Sequence, residues 1–296
     1  MTELVQQLVN GLSLGATYSL LALGLAIVFT TFGLINFAHG ELITITCYST
    51  LGLTVLGIPW FVAIVGGILS AVVAAILMER FAFRPVRGKP ASTSLLTSFG
   101  ASLIIQALIV ILVSPRTKTV EQWSWLGGAD FIGDFVFPRY QTVTVVVALI
   151  ALLAMVFVLK KTPLGLQIRG AAEDLEGVRL LGVRSGRLVI VAFAVSGLLA
   201  GIAAVLMMAR TGGSINPHMG LMPMLSAFVA VVLGGFGSLG GAVLGGFLLG
   251  IMEVMLRAWL PPSAAGLTTA IVFALVVVVL RIKPSGIMGK VVEEKV

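Results

Sequence analysis

Long runs of apolar residues alternate with short polar breaks along nearly the whole chain. Runs of membrane-spanning length fall near 8–32, 42–57, 59–79, 94–114, 141–159, 188–208, 223–257 and 267–281. The run at 223–257 is too long for one ordinary helix. Glycine occupies 234, 235, 237, 240 and 241 within it, which disfavours a continuous helix and predicts two segments joined by a break. A second break lies early. Leu8–Thr31 and Ile43–Ile58 are free of charge, yet Asn36, His39, Gly40 and Glu41 stand between them. Polar groups at membrane depth are costly, so they line a pathway, pair with a partner or sit at an interface. The bland alternative is a polar turn between two helices. Asn36, His39 and Gly40 are three and four residues apart, so a helical turn would set them on one face and point Glu41 elsewhere, toward a helix N-terminus, an Arg or water. The glycine-containing breaks at 33–41 and 234–241 hint at two repeated halves.

Charge orients these spans. The connection 80–90 holds Arg80, Arg84, Arg87 and Lys89 with no acid. The connection 160–187 holds Lys160, Lys161, Arg169, Arg179, Arg184 and Arg187, and the tail holds Arg281, Lys283, Lys290 and Lys295. These regions are expected on the cytoplasmic side. The connection 115–140 balances Arg116, Lys118 and Arg139 against Glu121, Asp130 and Asp134. It carries Trp123 and Trp125, as an outer interface would. An outside N-terminus and an inside C-terminus need an odd number of crossings. Splitting 223–257 gives about nine; a re-entrant segment would satisfy the parity differently. Small residues four apart recur at Gly11/Gly15, Gly197/Gly201, Gly237/Gly241 and Gly246/Gly250, the spacing that lets helices approach closely in lipid.

Composition agrees with this pattern. Hydrophobic residues make up 58%, charged residues 10%, and the mean hydropathy is +1.12, against about 25% charged residues in soluble domains. The expected fold is an all-α polytopic integral membrane protein with about eight to nine transmembrane segments and glycine-rich breaks, one domain over 1–296. The net charge of +7 follows the topology, and nothing points to nucleic acid. The single Cys47 lies in an apolar run as an inert packing residue. No basic leader region precedes the first apolar run, so no cleaved signal peptide is expected.

Within the cytoplasmic loop 160–187, Ile168, Ala171, Leu175 and Val178 recur at spacings of three and four. They predict one amphipathic helix over about 165–183, with Arg169, Glu173, Asp174, Glu176 and Arg179 on its other faces and Gly182 as its stop. Such a helix lies on the membrane surface or docks in a groove of a soluble partner. There is no phosphate-cradling loop, no nucleophile elbow and no Cys/His cluster for a metal. The chain is expected to be no enzyme and to hold no cofactor; if ATP drives transport, another subunit binds it.

Gly15-Ala16-Thr17-Tyr18-Ser19-Leu20-Leu21-Ala22-Leu23-Gly24, followed by Asn36-Phe37-Ala38-His39-Gly40-Glu41, resembles the N-terminal signature of LivH-type permeases, membrane subunits of bacterial ABC importers for branched-chain and other hydrophobic amino acids. Arg169-Gly170-Ala171-Ala172-Glu173-Asp174 with Leu180-Leu181-Gly182-Val183 resembles the family's ATPase-coupling loop. Ala227–Ala230 and Val232–Val243 resemble its C-terminal signature. The resemblance runs from about 8 to 285. Thr30-Thr31-Phe32 and Thr44–Ser49 depart from the family pattern beside the proposed path, which bears on the substrate.

The resemblance implies a subunit of the inner membrane paired with a paralogous permease. Two cytoplasmic ATPases would drive it and an extracytoplasmic binding protein would deliver substrate. It assigns ATPase coupling to Arg169, Ala171, Ala172, Glu173, Asp174 and Gly182. The substrate path is expected at Asn36, His39, Gly40 and Glu41, and helix breaking or close packing near the permease interface at Gly234, Gly235, Gly237, Gly240 and Gly241. Competing readings are a proton-coupled transporter relaying through His39 and Glu41, a passive channel, and an importer for urea or short amides.

Overall fold

The computed structural model describes residues 2–120, 124–132 and 135–289. Trp123, Glu121, Asp134, Lys290 and Lys295, used above to orient the chain, lie outside the described residues. The chain forms a helical bundle: α1 (Thr2–Phe32), a 3-10 turn (Phe37–Gly40), α2 (Glu41–Val55), α3 (Trp60–Met78, extended by a π turn at Glu79–Phe83) and α4 (Ala91–Leu112). Strands β1 (Lys118–Thr119), β2 (Ala129–Ile132) and β3 (Phe135–Pro138) precede α5 (Arg139–Lys161), α6 (Pro163–Glu173), α7 (Leu175–Leu180) and α8 (Ser185–Arg210). Then come β4 (Ser214–Ile215), α9 (Leu221–Gly234), α10 (Leu239–Trp259) and α11 (Thr268–Ile282).

Among the described residues, α1, α3, α4, α5, α8 and α10 are long and apolar enough to cross a membrane; α9 and α11 are shorter apolar helices. The expected split of 223–257 is present as α9 and α10. Two small antiparallel sheets, β1–β4 and β2–β3, were not foreseen. They satisfy backbone groups in the connections at the end of the bundle away from the basic loops.

α1 is the central helix, buried almost throughout. Its 31 residues reach about 46 Å at 1.5 Å each. It packs most extensively on α10, antiparallel, through small residues. A Cβ on Gly11 would lie 2.8 Å from Ile251 Cα, one on Gly15 would lie 2.8 Å from Phe247 Cα, and one on Gly246 would meet the Ser19 backbone. Gly197 and Gly201 do the same for α8, against Ala71, Val72 and Ile68 of α3. Three of the four small-residue pairs are therefore helix contacts. Close backbone approach gains dispersion energy that lipid gives no hydrophobic reason to seek.

α2 and α9 have 15 and 14 residues, about 22 and 21 Å, short of the roughly 30 Å hydrocarbon core. Both start inside the bundle. His39 reaches Ser196 at the middle of the 26-residue α8, and Gly40 lies against Gly220, which precedes α9. The chain thus returns from the end of α1 to mid-depth before α2, and from β4 to mid-depth before α9. The segment that faces 33–40 is 211–220. The correspondence expected between 33–41 and 234–241 is corrected: 234–241 turns α9 into α10 at an end of the bundle.

The loop 160–187 also differs from expectation. One helix over 165–183 was predicted, but the chain forms α6 and α7, broken at Asp174. Thr162 caps α6 through Gly165 N–H, with Pro163 at the first helical position. Asp174 Oδ1 accepts from the N–H groups of Glu176 and Gly177, at 3.0 and 2.9 Å, and starts α7. An Asp inside a helical pattern competes for the backbone in this way, and here its cap interaction overrides the longer period. Ile168 and Ala171 are buried as the periodicity required.

Candidate functional site

The turn 36–41 is walled by α1, α4, α8 and α9. Asn36, with φ −115° and ψ 89°, precedes the 3-10 turn; its carbonyl accepts from His39 N–H at 3.3 Å, while its side chain makes no cap bond. Phe37 N–H donates to Ser98 Oγ at 3.1 Å. The Phe37 ring sits 5.8 Å from Phe99 and 5.4 Å from Phe228, so an aromatic cluster adjoins the polar turn.

Each residue faces a different helix. His39 is fully buried, with Nδ1 3.1 Å from Ser196 Oγ of α8. Its Cε1 would lie 3.1 Å from a Cβ on Gly24, so glycine there makes room for the ring. Gly40 abuts α9, where an added Cβ would come within 2.7 Å of Met224 Cβ. The expectation that Asn36, His39 and Gly40 share one face is corrected for His39 and Gly40. A 3-10 turn advances three residues per turn, so adjacent residues diverge by about 120°.

Glu41 is the first residue of α2 and is buried, with its carboxylate turned to the interior of α4. Its partners are neutral donors rather than an Arg: Oε1 accepts from Ser102 Oγ at 2.8 Å and Gln106 Nε2 at 2.7 Å. Gln106 Oε1 lies 2.9 Å from Nδ1 of the exposed His218. Ser98, Ser102, Gln106, Ser196 and His218 were missed in the sequence reading. One signal was available: Ser94, Ser98, Ser102 and Gln106 recur every four residues along α4 and form its inward polar stripe.

In the loop 160–187, Arg169, Ala172, Glu173, Asp174 and Gly182 are exposed and Ala171 is buried. Gly182 has φ +85° and ends the segment after α7. Leu166, Leu180 and Leu181 are exposed at 65, 89 and 84%, an apolar patch beside these charges. Arg187, Arg184 and Gly182 line a cavity of about 450 Å³ with Leu164 and Leu188. Arg179 is close enough to Arg87 to influence its charge, so the connections 84–90 and 162–184 meet at one end of the bundle. Burial disfavours the charged form of Arg87, and its ion-pair partner Glu79 offsets part of that penalty.

The glycine break behaves differently at each position. Gly235 and Gly237 have φ +107° and +88°, where a side chain is strained. Gly234 and Gly241 pack backbone to backbone across the turn, Ser238 Oγ caps α10 through Gly241 N–H, and Gly240 faces open space except for Met288 Cε at 4.0 Å. No atom lies within 4 Å of a Cβ at Gly237. Within this chain the requirement at Gly237 is therefore one of backbone conformation. The tight packing at Gly235 is with this chain's own Ser285 and Gly289, and Ile287 and Met288 N–H donate to Leu233 and Gly234 carbonyls.

A polytopic bundle whose interrupted helices begin at mid-depth, around a buried polar turn, is the architecture of a membrane permease. Residues 7–280 match the family described as the permease component of the branched-chain amino acid transport system, and the chain belongs to that family. It is a multi-pass protein of the inner membrane. It is 33% identical to the high-affinity branched-chain amino acid permease LivH of Salmonella typhimurium, over 99% of this chain and 97% of LivH. It is also 33% identical to BraD of Pseudomonas aeruginosa, over 99% and 98% of the two chains. Similarity extends to the galactofuranose transporter permease YtfT of Escherichia coli, at 27% identity over 90% of this chain and 77% of YtfT.

Proposed function

We propose that this chain is the permease subunit of an ABC importer for branched-chain or other hydrophobic amino acids. It forms the path with a paralogous permease, receives substrate from an extracytoplasmic binding protein and is driven by two cytoplasmic ATPases that carry the nucleotide sites. The observation that supports this most is the enclosed turn at Asn36–Glu41. Polar groups there stand beside the Phe37–Phe99–Phe228 cluster. A hydrophobic amino acid carries both kinds of surface and needs replacement contacts for each while it leaves water. The higher, full-length identity to LivH and BraD than to YtfT favours amino acids over sugars.

The basic end of the bundle is the cytoplasmic end in this reading. There α6 and α7 present Arg169, Glu173, Leu180 and Leu181 outward to the ATPase. α6 stacks on the end of α5 and touches α1, so a push on α6 reaches the helix that borders His39. Ile168 and Ala171 hold α6 to the bundle. Asp174 acts by capping α7 and so sets the angle of the docking surface.

The test is leucine uptake by the complete importer in proteoliposomes, with the variants His39→Gln and Asn36→Ala. Lost uptake with an assembled, ATP-hydrolysing complex supports a path at this turn. Unchanged uptake in both removes the path from it, and absence of leucine uptake by the wild-type complex removes the substrate.

A further inference from the structure

Glu41 is a buried carboxylate that only neutral groups satisfy, and only on one side. Oε1 accepts from Ser102 and Gln106, while Oε2 is buried without a hydrogen-bond partner. The Thr44 hydroxyl, one turn along α2, lies beside the carboxylate without completing a hydrogen bond to it. Asn36 Oδ1, in the same turn of chain, is a third buried oxygen without a partner. Among the described residues the ion pairs are Arg87–Glu79, Arg139–Asp130 and Arg257–Glu253, and none includes Glu41. An unsatisfied carboxylate oxygen away from water is costly. A fixed Lys or Arg would remove that cost but would also occupy the oxygen permanently.

We infer that Glu41 Oε2 is the transient acceptor for the ammonium group of the passing substrate, with Gln106 and His218 forming the polar line that leads to it. This rests on the reading of the chain as an amino-acid permease. Ser102 and Gln106 hold the carboxylate by Oε1 in one orientation and leave Oε2 free. Gln106 in turn bonds His218, which is exposed on the segment 211–220 and is itself held by its N–H to Asn216 Oδ1 at 3.1 Å. The line therefore runs from an exposed imidazole to a buried carboxylate. An ammonium brings three donors and a positive charge, and a charge-assisted bond to carboxylate is about twice as strong as a neutral one. Because the carboxylate is pre-oriented, little ordering is needed when the cation arrives. The aromatic cluster at Phe37 adjoins the same turn and suits the substrate's apolar side chain. The occupant is thereby an α-ammonium attached to an apolar body.

The experiment uses the full importer with its partners in proteoliposomes. Glu41→Gln keeps an oxygen for Ser102 and Gln106 and replaces the charged acceptor by an amide. The expected result is leucine uptake lowered at least tenfold with ATPase activity stimulated by the binding protein within twofold of wild type. Uptake equal to wild type overturns the inference. A second measurement does not depend on that variant assembling. In a Cys47→Ala background, Thr44→Cys places a thiol beside Glu41 and leaves the Ser102 and Gln106 bonds to Oε1 in place. It should react at least tenfold faster with a cationic aminoethyl thiosulfonate than with an anionic sulfonatoethyl one, and leucine delivered by the binding protein should slow the reaction. Equal rates for the two reagents overturn the inference. If the wild-type importer takes up no leucine while the cation preference remains, the substrate reading fails and the cation acceptor stands.

Discussion

Gly15→Val should loosen the bundle at its most extensive helix contact. A Cβ at Gly15 would lie 2.8 Å from both Cα and O of Phe247 and 3.2 Å from its carbonyl carbon. Comfortable carbon contacts are about 3.5–4.0 Å, so α10 must move by about 1 Å. The obstructing atoms are helix backbone and have no rotamer to change. Such overpacking costs about 1–3 kcal/mol, and the separation also forfeits a quarter to a half of the dispersion well for contacts that open by 0.5–1 Å. On the scaling for chains of this size the melting midpoint should fall by roughly 2–12 °C. Gly100→Val is the control. It is also helical, but no atom lies within 4 Å of its added Cβ, so it carries the same change in helix propensity without the collision. Cys47 is the sole cysteine and fully buried, so a thiol-reactive fluorophore reports unfolding in detergent directly. An unchanged midpoint for Gly15→Val, or an equal fall for both variants, would refute the packing argument.

Two further outcomes follow from the loops. Gly237→Leu should destabilise by about 1–2 kcal/mol through its φ of +88° alone, and Gly237→Asn should be milder because Asn tolerates that region; equal melting of the Leu variant and wild type would refute it. Leu180→Ser with Leu181→Ser, both more than four-fifths exposed, should leave the thermal midpoint within about 1 °C. On the coupling reading they lower stimulated ATPase activity several-fold, and unchanged stimulation would remove these leucines from the ATPase contact.

The apolar runs determined the helices, because a span needs about 20 apolar residues and lipid tolerates few alternatives. Gly234–Gly241 announced its own break, because several glycines in sequence oppose a helix wherever they stand. The Asn36–Glu41 motif also marked itself, since its cost at membrane depth is local. Partners are a different matter. That His39 meets Ser196, that Gly40 closes on Gly220, and that Glu41 is held by Ser102 and Gln106 with His218 behind them depend on separations of 157, 180, 61 and 65 residues. No periodicity along one helix encodes which of several serine-bearing faces will turn toward it. The split of 165–183 at Asp174 lay between these cases: the capping residue was visible, but whether it ended a helix depended on the bundle holding Ile168 and Ala171 at one angle. The chain's local chemistry set what must cross the membrane and where it must break. Only the packing of small residues between helices decided which polar groups share the mid-depth turn, because close approach in lipid is a property of two surfaces together.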